Sequence, residues 1–375
     1  MSKINVTAPL MPSFDSYVEK LKKIWDSRWL TNNGQMYAQL KEELEARLGC
    51  EVELFVNGHM ALDIAVKALD LHGEIITTPF TFASTTHALT MNGCTPVFCD
   101  IEPDTYTMDP DKIESLITDK TCAIVPVHVY GCVCDLERIE SIAAKHGLKV
   151  IYDAAHAFGV TVNGKSIANF GDISMFSFHA TKVFNTIEGG ALAYRDKSLA
   201  QKFRNLRNFG IEGEERVTAI GLNAKMNEFC AAMGICNLEL VDDAIARRAE
   251  IVAQYLKILN QMPGIRTLNY DAMRAKNINY NYAYMPIEVD PEAAGYTRNE
   301  LHDFLLKKEI GTRKYFYPLI PDCECYHEKY KTIQLPVAKR VAEQILTLPL
   351  ASSMTDEDVQ LVCSALQEMS RQARG

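Results

Sequence analysis

The stretch Ser174-Met-Phe-Ser-Phe-His-Ala-Thr-Lys-Val-Phe-Asn-Thr-Ile-Glu-Gly-Gly190 decides the fold of this chain of 375 residues. It opens with an apolar run that is typical of a buried strand, and it closes with a Gly-Gly turn. Lys182 lies between the two, where no obvious helix face would solvate it. A partly desolvated lysine loses its proton readily and attacks carbonyl groups. Most lysines are ordinary surface residues, so the interpretation of Lys182 depends on the elements upstream of it.

Composition narrows the class of protein. Hydrophobic residues make up 47% of the chain and the formal net charge is −9, which argues against a nucleic-acid binder. The eleven cysteines follow no metal-ligand spacing, so we expect no metal site. The N-terminus lacks the apolar core of a signal peptide, and no apolar run approaches the ~20 residues of a membrane helix. We therefore expect a soluble, cytoplasmic protein that binds neither nucleic acid nor membrane.

Short apolar strands alternate with amphipathic helices, which predicts an α/β fold with a mostly parallel, doubly wound sheet. The predicted strands are Val52–Val56, Glu74–Thr78, Thr95–Asp100, Cys122–His128, Lys149–Asp153, Asp172–Phe178 and Gly189–Tyr194. We assign residues 1–245 to a large ligand-binding domain with an N-terminal arm, and residues 246–375 to a small C-terminal α+β domain. A long helix that begins at Arg247 is expected to connect them. In the small domain, Asn279–Val289 and Arg313–Pro318 are predicted strands, and Thr297 with Glu300 predicts a helix start.

Three features upstream of Lys182 have both a chemical and a structural interpretation. Asn57-Gly58-His59 leads from a strand into a helix, where free N–H groups favour an anion, but a capping asparagine explains the same turn. Phe82 follows a strand end, where an aromatic ring either stacks on a flat ligand or joins the core. Asp153 ends a strand, either as a helix cap or as a buried anion beside a protonated ring nitrogen.

Together with Lys182, these features resemble a pyridoxal-phosphate enzyme of fold type I. More closely, the chain resembles the DegT/DnrJ/StrS-type nucleotide-sugar aminotransferases. The motifs that carry this resemblance are Thr78-Pro-Phe-Thr-Phe82, Asp153-Ala-Ala-His156, Ser177-Phe-His-Ala-Thr-Lys182, Glu188-Gly-Gly190 and Asn223-Ala-Lys-Met-Asn-Glu228. The resemblance implies an aspartate-aminotransferase-like fold, with a seven-stranded sheet in the large domain, and pyridoxal phosphate as the cofactor.

The resemblance implies roles around the ring of this cofactor. Lys182 is expected to hold the cofactor covalently and to shuttle the transferred proton. Asp153 is expected to pair with the pyridine nitrogen, which lets the ring accept electrons. His156 is expected near the ring and its phenolic oxygen, and Phe82 on the ring face.

A second group of residues is implied for the cofactor phosphate. Gly58, His59 and Ser177 are expected to contact it from the same chain. Asn223 is expected to reach the phosphate of a neighbouring subunit, which would make the active site a property of a homodimer. Many relatives have Asn-Tyr-Arg where this chain has Asn223-Ala-Lys225, so the family's substrate contacts there do not carry over directly.

The resemblance also implies a substrate. The motifs are most similar to members that aminate C4 of a dTDP-4-keto-6-deoxyhexose, which feeds deoxyaminosugar or O-antigen synthesis, with L-glutamate as the usual amino donor. The substrate-side candidates are His179, Arg313, Lys314, Tyr315 and Tyr317. For each of them a purely structural role is an open alternative.

Other functions stay open at this point. A UDP- or GDP-linked 4-keto sugar, a C3-keto sugar or a keto-inositol could replace the dTDP-sugar. A non-catalytic regulator that binds the cofactor is a further alternative, although an intact Lys182, Asp153 and Ser177 would be unusual there. The related sugar dehydratases carry histidine at the position of Lys182, which argues against that reaction.

Overall fold

The computed structural model describes residues 3–373. A seven-stranded sheet forms the centre of the first half of the chain. In order across the sheet, its strands are Glu51–Phe55, Gly190–Tyr194, Ile173–Ser177, Lys149–Asp153, Thr121–Val125, Glu74–Thr77 and Thr95–Phe98. Gly190–Tyr194 runs antiparallel to both neighbours, and the other strand pairs are parallel. The predicted α/β class and mostly parallel sheet are confirmed.

Neighbouring residues of the central strands pack into different hydrophobic clusters, because successive side chains of a strand point to opposite faces. Ile75 lies in one cluster and Ile76 in another. The first cluster contains apolar residues of the helices Gly58–Ala68 and Leu199–Leu206. The second contains those of the helix Leu136–His146. Helices therefore cover both faces, which explains the long apolar runs of the strands.

The other helices of this region are Phe14–Ser27, Gln35–Leu48, Ala83–Met91 and Glu228–Leu238, with shorter turns at Pro110–Ile113, Glu114–Leu116, Val129–Gly131 and Ile167–Asn169. The connecting helix runs from Val241 to Leu259. It begins six residues before Arg247, so the predicted start was wrong. Asp242 and Asp243 lie in its first turn, where carboxylates favour a helix start. No helix within residues 3–373 is long and apolar enough to span a membrane.

The C-terminal region is built on an antiparallel sheet of three strands, in the order Ile265–Thr267, Met285–Val289 and Ile345–Leu348. Its helices are Tyr270–Ala275, Pro291–Ala294, Arg298–Lys307, Ile320–Asp322, Glu324–Tyr330, Pro336–Gln344 and Asp356–Gln372. The capping box of Thr297 and Glu300 is confirmed. Ile4 of the N-terminal arm pairs with Ile310. The helix Val241–Leu259 crosses the proposed boundary between residues 245 and 246, and the division into two domains stays a prediction.

Two predicted strands of this region were wrong. Asn279–Val289 is extended only at its ends, because Tyr282 has a φ of 51° and the Asn281 side chain donates to the His156 and Phe158 carbonyls. Arg313–Pro318 makes one bridge, between Arg313 and Thr347, and then leaves the sheet. The carbonyl of Tyr315 accepts a hydrogen bond from the Tyr130 hydroxyl instead of from a strand. Both segments leave the extended conformation where they line or support a cavity.

Candidate active site

A cavity of about 380 Å³ opens where the central strands end. Asp153 and Ser177 are the last residues of adjacent strands, and both line it. The predicted site residues that line this cavity are Gly58, His59, Phe82, Asp153, His156, Ser177, His179, Lys182, Arg313 and Tyr315. Ligands of open α/β sheets bind at these strand ends. The fold thus gathers into one place residues that are far apart in the sequence.

Lys182 lies half-buried in the cavity wall, in the loop that follows the strand Ile173–Ser177. Its backbone N–H donates to the His179 carbonyl at 2.9 Å. Burial lowers the pKa of Lys182 to about 8; the charge of Asp153 opposes this shift, and that of Arg313 adds to it. A substantial share of this amine is therefore neutral near physiological pH, which is the form that reacts with a carbonyl.

Asp153 lies buried at the base of the cavity. The Thr85 hydroxyl donates to its Oδ2 at 2.7 Å, and the Ala155 N–H donates to its Oδ1 at 3.0 Å. Burial raises the pKa of this carboxyl, while the two hydrogen bonds and the charge of Lys182 oppose that shift. A cation placed against the carboxylate would favour its ionised form.

His156 is buried, and its orientation is fixed. Its Nδ1 accepts a hydrogen bond from the Tyr130 backbone N–H at 3.1 Å, so Nε2 carries the proton of the neutral ring. The ring stacks on Phe316 at 5.9 Å between centroids and meets the edge of Tyr284 at 4.9 Å. Burial holds the pKa of His156 well below its usual value. The site therefore contains a neutral histidine that can donate one hydrogen bond from Nε2.

The helix Gly58–Ala68 begins against the end of the strand that carries Ser177. A Cβ atom on Gly58 would lie 2.9 Å from the Ser177 Cβ, so glycine permits this close approach. Asn57 caps the helix by accepting from the Met60 N–H at 2.8 Å. The N–H groups of Gly58 and His59 precede that bond and have no acceptor within the helix. The capping role of Asn57 is thus confirmed, and it leaves free amides beside the Ser177 hydroxyl, where an anion is favoured.

Phe82 and His59 lie at the cavity wall next to the helix Ala83–Met91. Phe82 precedes this helix, and 55% of its surface is exposed. It is therefore no core residue, and its exposed ring lines the cavity, where a ligand can contact it. The Nδ1 of His59 hydrogen-bonds to the Ser84 hydroxyl at 2.9 Å, which holds the imidazole at the cavity.

His179 is tied into the loop around Lys182. Its Nδ1 accepts from the Thr181 backbone N–H at 3.2 Å, and it lies 2.8 Å from the Thr181 hydroxyl. Its Nε2 lies 3.6 Å from a carboxylate oxygen of Glu188, which also lines the cavity. The residue before Glu188, Ile187, has a φ of 69°, which is unusual for a β-branched side chain. His179 therefore combines a structural contact with exposure to the cavity.

Of the four substrate-side candidates in the Arg313–Pro318 segment, two line the cavity and two do not. Arg313 and Tyr315 line the cavity, and the Arg313 guanidinium lies 4.1 Å from the centre of the Tyr315 ring. Lys314 and Tyr317 do not line it, and the Tyr317 ring instead faces the Arg298 guanidinium at 4.8 Å. Neither residue lines the cavity of this chain, and their predicted role toward the substrate stays a prediction.

Asn223 also lies outside the cavity of its own chain, as a contact to a neighbouring subunit would require. It is exposed, and its Oδ1 accepts from the Lys225 ammonium at 2.7 Å. That ammonium lies 4.7 Å from the centre of the Phe209 ring, which is itself 49% exposed. The structure of one chain leaves the predicted role of Asn223 as a prediction.

Sequence analysis missed several residues of the cavity. Thr85, Tyr284 and Phe316 all line it, and so does Glu188, which was recognised in a motif without a role. The run Thr81 to Thr85 carries three hydroxyl side chains shortly after a strand end, which could have indicated a polar lining. Tyr284 gave no comparable signal, because it was interpreted as part of a regular strand.

Comparison with known proteins extends these observations. The sequence model of the DegT/DnrJ/EryC1/StrS aminotransferase family matches residues 15–367. The chain is 40% identical over 367 residues to the dTDP-4-amino-4,6-dideoxy-D-glucose transaminase of Shigella dysenteriae, covering 98% of this chain and 99% of that one. It superposes with a TM-score of 0.94 on DesI, solved in the presence of its TDP-sugar product, at 34% identity over 100% of this chain and 94% of that chain. The chain also superposes on NtdA of Bacillus subtilis, solved with bound cofactor PMP, with a TM-score of 0.86 and 27% identity, over 96% of this chain and 82% of that chain.

Proposed function

Because the chain belongs to the DegT/DnrJ/EryC1/StrS aminotransferase family, whose fold is that of the type I pyridoxal-phosphate enzymes, we propose that it transfers an amino group to C4 of dTDP-4-keto-6-deoxy-D-glucose. The observation that carries this proposal is the meeting of Lys182 and Asp153 in one cavity, which Phe82 and Arg313 also line. The similarity to a dTDP-sugar transaminase along nearly the whole chain supports the same substrate.

The residues of the cavity fit pyridoxal phosphate. The free amides of Gly58 and His59, with the Ser177 hydroxyl, would hold the phosphate. Asp153 would hold the protonated pyridine nitrogen, and Phe82 would cover a face of the ring. The Nε2–H of His156 would donate to the phenolic oxygen. When bound, pyridoxal phosphate carries the amino group between the two substrates and delocalises the charge of the reacting carbon.

Lys182 is the residue that we propose moves the proton. Its pKa of about 8 lets Nζ accept a proton from the donor's α-carbon in one half-reaction and return a proton to sugar C4 in the other. Asp153 stabilises positive charge on the ring nitrogen throughout. The Thr85 hydroxyl, which donates to Asp153 Oδ2, keeps that carboxylate oriented and favours its ionised form.

We further propose L-glutamate as the donor and a homodimer as the active form. The exposed position of Asn223, beside the exposed side chains of Phe209 and Ile220, supports a contact between two copies there. Mixing two impaired variants tests this arrangement. If Asn223 serves the neighbouring site, a mixed dimer of Lys182→Ala and Asn223→Ala contains one intact site, so subunit exchange restores activity. No recovery in a mixture shown to form mixed dimers would contradict a shared site.

The cytoplasm is the compartment that we propose for this enzyme. All eleven cysteines are free thiols, and several of them, such as Cys99 and Cys134, are deeply buried. Free thiols in this number are typical of a reducing compartment. Fractionation of source cells, with detection of the protein by antibody, checks the assignment.

The test of the reaction is an end-point assay. Purified holoenzyme, L-glutamate and dTDP-4-keto-6-deoxyglucose are incubated and analysed by mass spectrometry, with Lys182→Ala in parallel. We expect an aminated dTDP-sugar and 2-oxoglutarate from the wild type only, and NMR then gives the position and configuration of the amine. If a cofactor-loaded wild type leaves the dTDP-sugar unchanged, that substrate is wrong. Amination of a UDP- or GDP-linked sugar or of a keto-inositol would then identify the alternative, and inactivity with all of them would favour a non-catalytic role.

A further inference from the structure

The Arg313 side chain at the cavity wall has no anionic partner within the part of the chain that the structure describes. Among residues 3–373, no carboxylate lies within ion-pair distance of its guanidinium, and no side-chain or backbone acceptor bonds to it. The guanidinium lies 4.1 Å from the centre of the Tyr315 ring, a cation–π contact that uses none of its N–H donors. Arg266, in contrast, forms an ion pair with Glu288. An unpaired guanidinium at a cavity wall is suited to an anionic ligand.

The backbone of Arg313 is held in place. Its N–H donates to the Thr347 carbonyl at 3.2 Å, and its own carbonyl accepts from the Thr347 N–H at 2.8 Å. The Thr347 hydroxyl donates to the same carbonyl at 2.9 Å. Arg313 lines the cavity and Lys314 does not. The segment thus presents one basic side chain to the cavity and turns the next one away from it.

The charges of the cavity wall limit what can bind an anionic substrate. Within the described part of the chain, one lysine and one arginine line the cavity, namely Lys182 and Arg313. If the proposed function holds, Lys182 is committed to the cofactor and to proton transfer, and the phosphate amides are filled by the cofactor. Both substrates are anions: glutamate carries two carboxylates and the nucleotide sugar carries a diphosphate. They use the cavity in alternate half-reactions, so neither needs to share it with the other.

We infer that Arg313 is the common anion anchor of both half-reactions, binding a carboxylate of the amino donor in one and the diphosphate of the nucleotide sugar in the other. This rests on the proposed function and extends it, since it assigns a donor site to the same side chain. The planar guanidinium can make paired hydrogen bonds to either anion, because carboxylate and phosphate oxygens have similar spacing. Arg313 therefore determines how both substrates are recognised.

Equilibrium binding tests the anchor without catalysis. The probes are dTDP and glutarate, a dicarboxylate with the carbon chain of glutamate but no amine, titrated into holoenzyme by calorimetry. We expect the two probes to compete, and Arg313→Ala to weaken each of them roughly tenfold or more. Arg313→Lys should recover part of this loss. Lys314→Ala, which removes a charge one residue away but outside the cavity, should change either affinity by about twofold or less.

Two outcomes with the wild type would overturn the inference: simultaneous binding of the two probes, or no binding of glutarate. Two outcomes with the variants would also overturn it: a weaker affinity for dTDP alone in Arg313→Ala, or an equal loss of affinity in Lys314→Ala. The cofactor absorbance and melting temperature of each variant show that it is folded and loaded. The binding result can be interpreted independently of the amination assay. Shared weakening of both probes supports the anchor even if the dTDP-sugar is not aminated, and unchanged binding overturns it even if the sugar is.

Discussion

The base and the rim of the active-site cavity differ in how their polar groups are satisfied. At the base, Asp153 accepts two hydrogen bonds, and His156 is fixed by a backbone N–H and by two aromatic rings. At the rim, the Arg313 guanidinium forms no ion pair within residues 3–373 and lies 4.1 Å from the centre of the Tyr315 ring, and 55% of Phe82 is exposed. A cofactor that stays bound through many turnovers binds more tightly to a site whose side chains are already held in place. Substrates that alternate need contacts that form and break in each cycle.

The largest effect should come from replacing Lys182, whose amine shares the cavity with the base residue Asp153. Lys182→Arg keeps a cation there, but its guanidinium does not deprotonate in proteins and cannot move the proton. Loss of general acid–base catalysis alone should lower the turnover number by about 10² to 10⁴-fold. Steady-state assays with mass-spectrometric detection measure this. Activity within a few-fold of wild type would show that another group moves the proton.

The reaction of Lys182 with added cofactor should depend on pH in a defined direction. Only the neutral amine reacts, and its pKa is lowered to about 8, so the loading rate of apoprotein should rise as pH increases through 8 and then level off. Below that point the neutral fraction falls about tenfold per pH unit. Stopped-flow absorbance between pH 6 and 10 gives the profile, with the lysine reaction of a model peptide as control. A midpoint near the ordinary lysine value would contradict the burial of the amine.

A smaller effect should follow from Thr85→Val, which keeps the shape of the side chain and removes the hydroxyl that donates to Asp153. Hydrogen bonds to charged groups contribute about 1.5–3 kcal/mol. We expect cofactor affinity and turnover to fall by roughly ten- to a hundredfold, because the ionised carboxylate loses a donor. Thr85→Ser, which retains the hydroxyl, is the matched control and should stay close to wild type. Equal losses in both variants would point to packing instead of the hydrogen bond.

The smallest effect should appear at the rim, in Phe82→Ala. An aromatic pair contributes about 0.5–1.5 kcal/mol beyond the area that it buries, so we expect cofactor affinity to weaken by roughly three- to tenfold, with the fold unchanged. Phe82→Tyr retains the ring and should preserve affinity. Equilibrium dialysis of the cofactor measures the difference. Unchanged affinity in Phe82→Ala would remove Phe82 from the cofactor site.

The sequence by itself determined the chemistry at the base and the class of the fold. The apolar strands specify a buried sheet, because a strand covered by helices on both faces is apolar along its whole length. The end of such a strand places Asp153 and Ser177 at one edge. Lys182 was recognisable because it lies in the loop after one of these strands and because the elements upstream of it supply the matching motifs. The capping residues Asn57 and Thr297 were likewise predictable, because a helix cap is a local interaction.

Only the tertiary structure decided which members of the Arg313–Pro318 segment reach the site. The local sequence does not distinguish between Arg313, Lys314, Tyr315 and Tyr317. The bridge to Thr347 and the hydrogen bond from Tyr130 hold the segment so that Arg313 and Tyr315 line the cavity and the other two do not. The bond from Thr85 to Asp153 joins residues 68 positions apart and had no sequence pattern of its own. Such contacts depend on how distant elements pack together, and periodicity along the chain carries no information about that packing.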